Sequence, residues 1–279
     1  MKYYALFNPF AANGKCALDV KTLETIYEGI ELCDMTQLDY NEFFKGLEAD
    51  DVVILCGGDG TLNRFINDTD GIELKNELLY FPIGTGNDFA HDLGKQAGDN
   101  PFRINEYLRD LPYVYVNGQK QRFLNGIGYG IDGYCCEVGD QLKSQGKLPD
   151  YTGIAIKGLL FHFKPVNATV SVDGKKHEFK KVWISPTMFG RYYGGGMMPT
   201  PAQDRNRAEK TVSLMVFHGS GKLQTLMIFP SIFKGEHIKH KENITILKGK
   251  NITVTFDRPA SLQIDGETVL GVKTYTVTV

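Results

Sequence analysis

The chain has 279 residues, a length that suits two modest domains or one large one. Its composition, 42% hydrophobic, 23% charged and 11% aromatic, is average for globular proteins and excludes disordered, collagen-like and low-complexity classes. The formal net charge of -2 supplies no global positive field, so we expect no nucleic-acid partner, and any recognition of phosphate must be local.

Five cysteines without CxxC spacing predict reduced thiols rather than a disulfide framework or a zinc site. The opening residues lack the pattern of a secretory leader, and no apolar run reaches the roughly 18 residues that span a bilayer. The predicted location is therefore the cytoplasm, without a transmembrane segment.

Short apolar runs alternate with helical patterns over about the first 110 residues, which predicts an α/β domain with a parallel sheet. The predicted strands are 3–7, 52–56 and 78–82, and a helix is predicted over 16–30. Each strand continues into a loop that carries Asn, Gly or Asp. Because ligands bind beyond the carboxyl ends of the strands in such sheets, we expect these loops to share one site.

The loop after the second of these strands reads GGDGTLN over 57–63. Glycine lets the backbone approach an anion closely, and the helix predicted to start at once, with Thr61 as its N-cap, favours phosphate at its N-terminus. A carboxylate such as Asp59 about 4 Å from a phosphate oxygen is repelled by about 4 kcal/mol at an effective dielectric constant of 20. Asp59 would therefore need a bridging Mg²⁺ or a substrate hydroxyl whose proton it accepts. A tight strand-to-helix turn is the structural alternative.

The loop after the third strand reads GTGNDFA over 84–90. Taken alone, Asn87 and Asp88 equally predict a helix cap. Two adjacent parallel strands would place this loop beside the first glycine loop, so the pair predicts a ligand site that neither loop predicts by itself.

After about residue 111, alternating β-branched residues predict a mainly antiparallel β domain. Asn117-Gly118, Asp173-Gly174 and Asp265-Gly266 each lie between two such runs and predict two-residue hairpin turns. A helical insertion is predicted over 151–163. The lysines between 234 and 250 are interleaved with glutamates, which favours a solvated face.

These motifs resemble the signature of the diacylglycerol kinase catalytic family, which includes bacterial lipid kinases and sphingosine kinases. The resemblance rests on the two glycine loops and Asn8-Pro9, and extends to FLNGIGYGID at 123–132, GGGMM at 194–198 and DGE at 265–267. It covers essentially the whole chain.

The resemblance implies a Rossmann-like nucleotide-binding domain at 1–111 and a β-rich lipid-substrate domain at 112–270. A final strand at about 271–279 has the option of returning to the first domain. ATP and Mg²⁺ are the implied cofactors, with Asp59 as the contact to Mg²⁺ through the nucleotide. The predicted nucleotide-binding residues are Asn8, Pro9, Thr36, Gly57, Gly58, Asp59, Gly60, Thr61, Asn63, Gly84, Thr85, Gly86, Asn87 and Asp88.

The predicted catalytic residues are Asp265, Asp59 and Glu267. In the family, the aspartate of Asp-Gly-Glu is proposed as a proton acceptor, whereas Asp-Gly between strands is also the strongest short hairpin signal. Asp59 and Asp265 both remain candidates for the base that takes the proton of the acceptor hydroxyl.

Two positions depart from the family pattern. Arg64 stands where the family has Glu, and Glu209-Lys210 stands where the family has an Asp-Gly that helps hold a structural Mg²⁺. Asp204 is a weak substitute in that loop, so a structural metal is not supported there.

The motifs and the resemblance together predict an ATP-dependent kinase that transfers the γ-phosphoryl group to the hydroxyl of a diacylglycerol-like lipid. Its partner would be a lipid substrate at the membrane surface, with the protein peripheral at the inner membrane face and a homodimer left open. One alternative is a kinase of a soluble acceptor, similar to NAD kinases. Another is a catalytically silent nucleotide-binding regulatory protein.

Overall fold

A computed structural model of the protein describes residues 1–84 and 86–279, apart from the side chains of residues 12 and 13. The described residues divide into two compact units, Met1–Leu111 and Pro112–Val279. Each unit has its own sheet and its own hydrophobic core.

The first unit is an α/β fold. Its strands are β1 (Tyr3–Phe7), β2 (Glu31–Asp34), β3 (Val52–Gly57), β4 (Glu77–Pro82) and β5 (Phe102–Arg103). Its α-helices are α1 (Cys16–Asp19), α2 (Tyr40–Gly46), α3 (Asp59–Asp68) and α4 (Asp88–Asp92), and 3-10 turns lie at Ala11–Gly14, Val20–Thr25 and Asn105–Tyr107.

The sheet of this unit has the order β2-β1-β3-β4-β5, with the first four strands parallel and β5 antiparallel to β4. β3 is central and every one of its residues is buried, as its unbroken apolar run requires. The predicted α/β class of the first half is confirmed.

The predicted helix over 16–30 is wrong in length. It is the single turn α1 followed by one 3-10 segment that ends at Thr25, and Val20 and Leu23 of this segment pack in the core of the first unit. The sequence also does not predict β2, since this edge strand is only partly buried and lacks an apolar run.

The second unit is built mainly from antiparallel strands. They are β6 (Tyr113–Val116), β7 (Gln119–Arg122), β8 (Gly126–Tyr129), β9 (Val166–Val172), β10 (Lys175–Val182), β11 (Thr187–Met188), β12 (Val212–Phe217), β13 (Ile244–Gly249), β14 (Asn251–Ile264) and β15 (Glu267–Thr278). The sheet order is β13-β12-β11-β8-β14-β15-β6-β7, and β9 joins β14 to β10. The predicted mainly antiparallel β class is confirmed.

Helical segments cover part of this unit. They are α5 (Ile131–Ser144), α6 (Tyr151–Lys157), α7 (Lys222–Ile228), a π turn at Gly158–His162 and 3-10 turns at Phe229–Lys234 and Glu236–Lys239. The predicted insertion over 151–163 is therefore α6 plus the π turn. No helix in the described part of the chain is long and apolar enough to cross a membrane.

All three Asx-Gly dipeptides are hairpin turns, as predicted. Asn117, Asp173 and Asp265 have φ of 49°, 48° and 46°, and each is followed by a glycine that also has a positive φ. The last strand, β15, pairs with β14 and β6 inside the second unit. The final strand therefore does not return to the first sheet.

Candidate functional site

The carboxyl ends of β1, β3 and β4 lie at one edge of the first sheet because these neighbouring strands are parallel. The turn at Asn8-Pro9, the loop from Gly57 and the loop from Gly84 therefore lie side by side, as the sequence predicts. Thr36 follows β2 at the same edge, where Met35 N donates to Phe7 O at 3.0 Å.

The two glycine loops pack directly on each other. A Cβ on Gly84 would lie 2.4 Å from Cα of Gly58 and 2.9 Å from its nitrogen. A Cβ on Gly57 would lie 2.3 Å from Oγ1 of Thr61. Gly84 is thus required by contact between the loops and Gly57 by contact within its own loop, in addition to any approach of a ligand.

We expect Gly84→Ala to lower the free energy of unfolding by about 1–3 kcal/mol, because the added methyl group meets backbone that cannot move aside. Thermal denaturation measures this effect. Gly60→Ala is the matched control, since a Cβ on Gly60 meets nothing within 4 Å. Equal melting temperatures for the two variants would contradict the close loop packing.

Asp59 joins the two loops. Its Oδ2 accepts from Asp88 N at 2.7 Å and its Oδ1 from Phe89 N at 2.9 Å. The helix α3 begins at Asp59 with Gly58 as its N-cap, so the prediction that Thr61 caps this helix is wrong. Thr61 lies in the first turn, where its amide donates to Gly58 O. The extended backbone of Gly58 sets the start of the helix.

Asn87 and Asp88 are buried residues of the second loop. The Asn87 amide group accepts from Gly84 N at 3.2 Å and donates to Gly84 O at 2.6 Å. The hydroxyl of Tyr80 lies 3.0 Å from Gly57 O and 3.4 Å from Asn87 Oδ1, so it ties the same loops together. The hydrogen bonds of Tyr80 and Asn87 therefore fix the conformation of the two loops.

The surface of the sheet edge is formed by other members of the predicted set. Gly60 and Gly86 are exposed, and Gly58, Asp59 and Thr61 are half-buried. Asn8 and Pro9 are also half-buried, whereas Asn63 is buried in α3. Thr85 lies outside the described residues.

Asp59 fits a magnesium ion that arrives with a nucleotide. No group of three or more His, Cys, Asp or Glu side chains that could hold a metal is found among the described residues. Mg²⁺ is usually held by one or two carboxylates together with substrate phosphates and water. Two backbone amides hold the carboxylate of Asp59 in one orientation, and a carboxylate oxygen is the type of ligand that this ion prefers.

Arg64 forms an ion pair with Asp68 one helical turn along α3, with Nε 3.2 Å from Oδ2. Both side chains are exposed, so this pair contributes little to stability. Arg64, which stands where the family has Glu, is thus paired with a residue of its own helix.

In the second unit, Asp265 also binds backbone. Its Oδ2 accepts from Leu124 N at 2.6 Å, and its Oδ1 accepts from Asn125 N at 2.8 Å and Gly126 N at 2.9 Å. The carboxylate therefore fixes the segment that enters β8. Glu267 is exposed at the start of β15.

The loop 201–210 approaches this segment through a buried arginine. Arg205 donates to Leu124 O at 3.2 Å and to Asn125 Oδ1 at 3.0 Å. Lys210 Nζ donates to Arg205 O at 2.7 Å. Asp204 Oδ1 accepts from Asn206 N, closing a local turn. Cations of the chain itself hold this loop, and the donor set does not fit a structural Mg²⁺.

Asp132 is a buried carboxylate that the sequence does not single out. Its Oδ2 accepts from Gln263 Nε2 at 2.9 Å, and Gln263 Oε1 accepts from Gly266 N at 2.7 Å in the Asp265 turn. Burial raises the pKa of Asp132 to about 6, against the weaker lowering by the Gln263 hydrogen bond. A buried ionisable group with a raised pKa is a functional-site candidate.

The pKa of Asp132 gives stability a pH dependence. The folded-state pKa of about 6 lies above the ordinary value of 3.8, so between these pH values the folded protein binds more protons than the unfolded chain. Stability therefore falls as pH rises through this window, by on the order of 3 kcal/mol at most. We expect Asp132→Asn to remove this dependence and to raise the melting temperature at pH 7.

Melting curves of this variant between pH 4 and pH 7 provide the measurement. Asp140→Asn is the control, because Asp140 is exposed on the same helix and pairs with Lys143. An advantage of Asp132→Asn that is the same at both pH values would contradict titration of the buried carboxyl in this window.

Family comparison covers both units. The family model described as "Diacylglycerol kinase catalytic domain" matches residues 2–110. The family model described as "YegS C-terminal NAD kinase beta sandwich-like domain" matches residues 125–279. The second match alone spans more than half of the chain.

Individual relatives agree with these matches. A diacylglycerol kinase of Bacillus subtilis (strain 168) is 27% identical over 78% of this chain and 71% of its own length. A Staphylococcus aureus (strain JH9) protein assigned as a lipid kinase is 29% identical over 78% of this chain and 70% of its own. A solved structure from Bacillus anthracis str. Sterne, assigned as a diacylglycerol kinase, has a TM-score of 0.68 at 19% identity and covers 99% of this chain and 91% of that chain. This last likeness shows the fold alone.

Proposed function

Because the chain belongs to the diacylglycerol kinase family, we propose that it is an ATP-dependent kinase that transfers the γ-phosphoryl group to the hydroxyl of a lipid. A diacylglycerol-like lipid is the proposed acceptor. The observation that carries the proposal is Asp59, which stands at the start of α3 and binds the second glycine loop through both carboxylate oxygens.

The phosphates of the nucleotide would lie on the loop 57–63. The N-terminus of α3 offers its positive end there, and the exposed backbone of Gly60 allows close approach. Asp59 would hold Mg²⁺ through the nucleotide, and this ion neutralises phosphate charge when bound. Tyr80 would keep the two loops in place for this task, because its buried hydroxyl contacts Gly57 O in the first loop and Asn87 Oδ1 in the second.

The lipid hydroxyl must lose a proton as the new phosphate ester bond forms. Asp59 and Asp265 are the two carboxylates proposed for this role, because each is fixed by backbone amides that hold it in one orientation. Both are also structural in their own units, so each substitution needs a measurement of folding beside one of turnover. We place the protein at the cytoplasmic face of the membrane, where ATP and a lipid acceptor meet.

The test is an ATP-consumption panel with Mg²⁺ and with diacylglycerol, ceramide and a sphingoid base, each in mixed micelles, together with NAD as a soluble acceptor. We expect ADP release that depends on a lipid, with diacylglycerol as the best acceptor. Release with NAD alone would favour the soluble-acceptor alternative. A folded protein that binds ATP and phosphorylates none of these compounds would support the silent regulatory alternative.

A further inference from the structure

Helix α7 is apolar on two faces. Thr225 and Ile228 are buried, and Ile228 belongs to the hydrophobic core of the second unit. Leu223 and Met227, four residues apart and hence on one face, are 74% and 75% exposed. A helix of a globular protein ordinarily turns charged or polar side chains outward, so the outer face of α7 lacks a partner within the unit.

Two neighbouring turns continue this pattern. Leu159 is buried in the π turn, yet Phe161 is 73% exposed. Ile232 is buried in the turn at Phe229–Lys234, yet Phe233 is 47% exposed.

α7 contacts both turns, and Lys222 Nζ at its start donates to Leu160 O at 2.6 Å. Phe161, Leu223, Met227 and Phe233 therefore lie on adjoining helical segments, and we refer to these four side chains as the apolar face. Single exposed apolar residues are common in proteins, but a group of this size on adjoining segments marks an interaction site.

The segments that carry the apolar face are positively charged. Residues 151–164 and 222–242 contain six lysines and two glutamates, although the whole chain has a net charge of -2. One of these glutamates, Glu236, already pairs with Lys239 at 3.2 Å. A cavity of about 380 Å³ beside the π turn is lined in part by Lys164 and Arg258, and also by Glu137 and His162. Lys234, Lys239 and Lys241 follow the exposed Phe233 along the chain, so the solvated face predicted for these lysines continues from one of the apolar side chains.

We propose that the apolar face is the surface by which the protein docks on a bilayer that contains anionic lipids. Large apolar side chains on short helical segments, flanked by lysines, have the composition of interfacial membrane anchors. The acyl region of such a bilayer would cover the exposed side chains of Phe161, Leu223 and Met227. Its anionic headgroups would attract the lysines. This inference deepens the proposed function. The reason for docking rests on that function, because a lipid kinase must reach an acceptor held in a bilayer.

Sedimentation with vesicles tests the docking without ATP. The probe is a vesicle of phosphatidylcholine with about 30% phosphatidylglycerol, compared with phosphatidylcholine alone. The variant combines Phe161→Ser, Leu223→Ser and Met227→Ser, and Leu18→Ser is the control because Leu18 is 68% exposed on α1 of the first unit. We expect the triple variant to bind anionic vesicles at least about tenfold more weakly than the wild type, and the control to bind like the wild type.

Salt and a single substitution sharpen the test. Raising salt from about 50 to about 500 mM should weaken wild-type binding, because the lysines act through screened charge. Phe161→Ser alone should weaken binding to anionic vesicles in part. This single substitution keeps the test valid if the triple variant misfolds. Equal binding by the wild type and the triple variant would overturn the proposal. If light scattering shows a dimer for the wild type and a monomer for the triple variant, and the wild type does not bind vesicles, the apolar face would instead be the contact with a second copy of the chain.

Kinase activity separates this inference from the proposed function. With a short-chain diacylglycerol that dissolves as monomers, the triple variant should turn over like the wild type. With diacylglycerol in anionic vesicles, it should be about tenfold slower. If the wild type binds the vesicles but phosphorylates no lipid, the docking surface stands and the proposed function fails.

Discussion

Asp59→Asn is expected to lower turnover by a factor of about 10² to 10⁴ while the protein stays folded. Both carboxylate oxygens of Asp59 accept amides of the second glycine loop. An asparagine presents an NH₂ group to one of these donors and removes the negative charge that would hold Mg²⁺ beside the nucleotide. Steady-state kinetics with ATP and a lipid acceptor, beside a melting curve, measure the two effects separately.

Asp68→Asn is the matched control for this variant. Asp68 lies on the same helix, but it is exposed and pairs only with Arg64 among the ion pairs described for α3. We expect its turnover to stay within about twofold of the wild type and its stability within about 0.5 kcal/mol. Equal activity of Asp59→Asn and Asp68→Asn would contradict any role of Asp59 at the nucleotide.

Asp265→Asn should cost both stability and turnover. The carboxylate accepts three backbone amides, and an asparagine would leave the amide of Leu124 facing an NH₂ group. One unsatisfied buried donor costs about 1–3 kcal/mol. We expect a further loss of turnover of about 10² or more if this carboxylate takes the proton of the acceptor hydroxyl. The loss must be measured well below the melting temperature of the variant.

The chain contains its own control for this substitution. Asp173 begins the same kind of Asp-Gly turn, with φ of 48° against 46° for Asp265, and its carboxylate accepts from Lys250 N and Asn251 N. Asp173→Asn alters the same chemistry in a turn that has no proposed role, so turnover should be unchanged. A folded Asp265→Asn protein with nearly full turnover would reduce Asp265 to a turn residue and assign the base to Asp59.

The sequence predicts the placement of the loops well where backbone geometry determines residue type. The three strands that end in Asn, Gly or Asp do meet at one sheet edge, because a parallel sheet places their carboxyl ends together. The glycines of the two loops predict room for a ligand. The structure adds that Gly58 and Gly84 also make room for each other. Contact between two loops cannot be inferred from either loop alone.

Other features lie beyond a sequence pattern. The sequence does not predict helix α5, because the helix contains Gly133 and glycine is a poor helix former. Gly133 lets the helix pack against β14, since a Cβ on Gly133 would lie 1.9 Å from Ser261 O. The network from Asp132 through Gln263 to the Asp265 turn joins residues more than a hundred positions apart. Buried hydrogen bonds of this kind depend on tertiary packing and leave no local signal.

Transfer of label from γ-³²P-ATP, in one tube that contains Mg²⁺, diacylglycerol micelles and NAD, tests the central claim most directly. After extraction with organic solvent, we predict labelled phosphate in the lipid phase for the wild type and about 10² times less for Asp59→Asn. Label only in the aqueous NAD fraction, or in neither phase for a folded protein, would contradict the account of this protein as a lipid kinase.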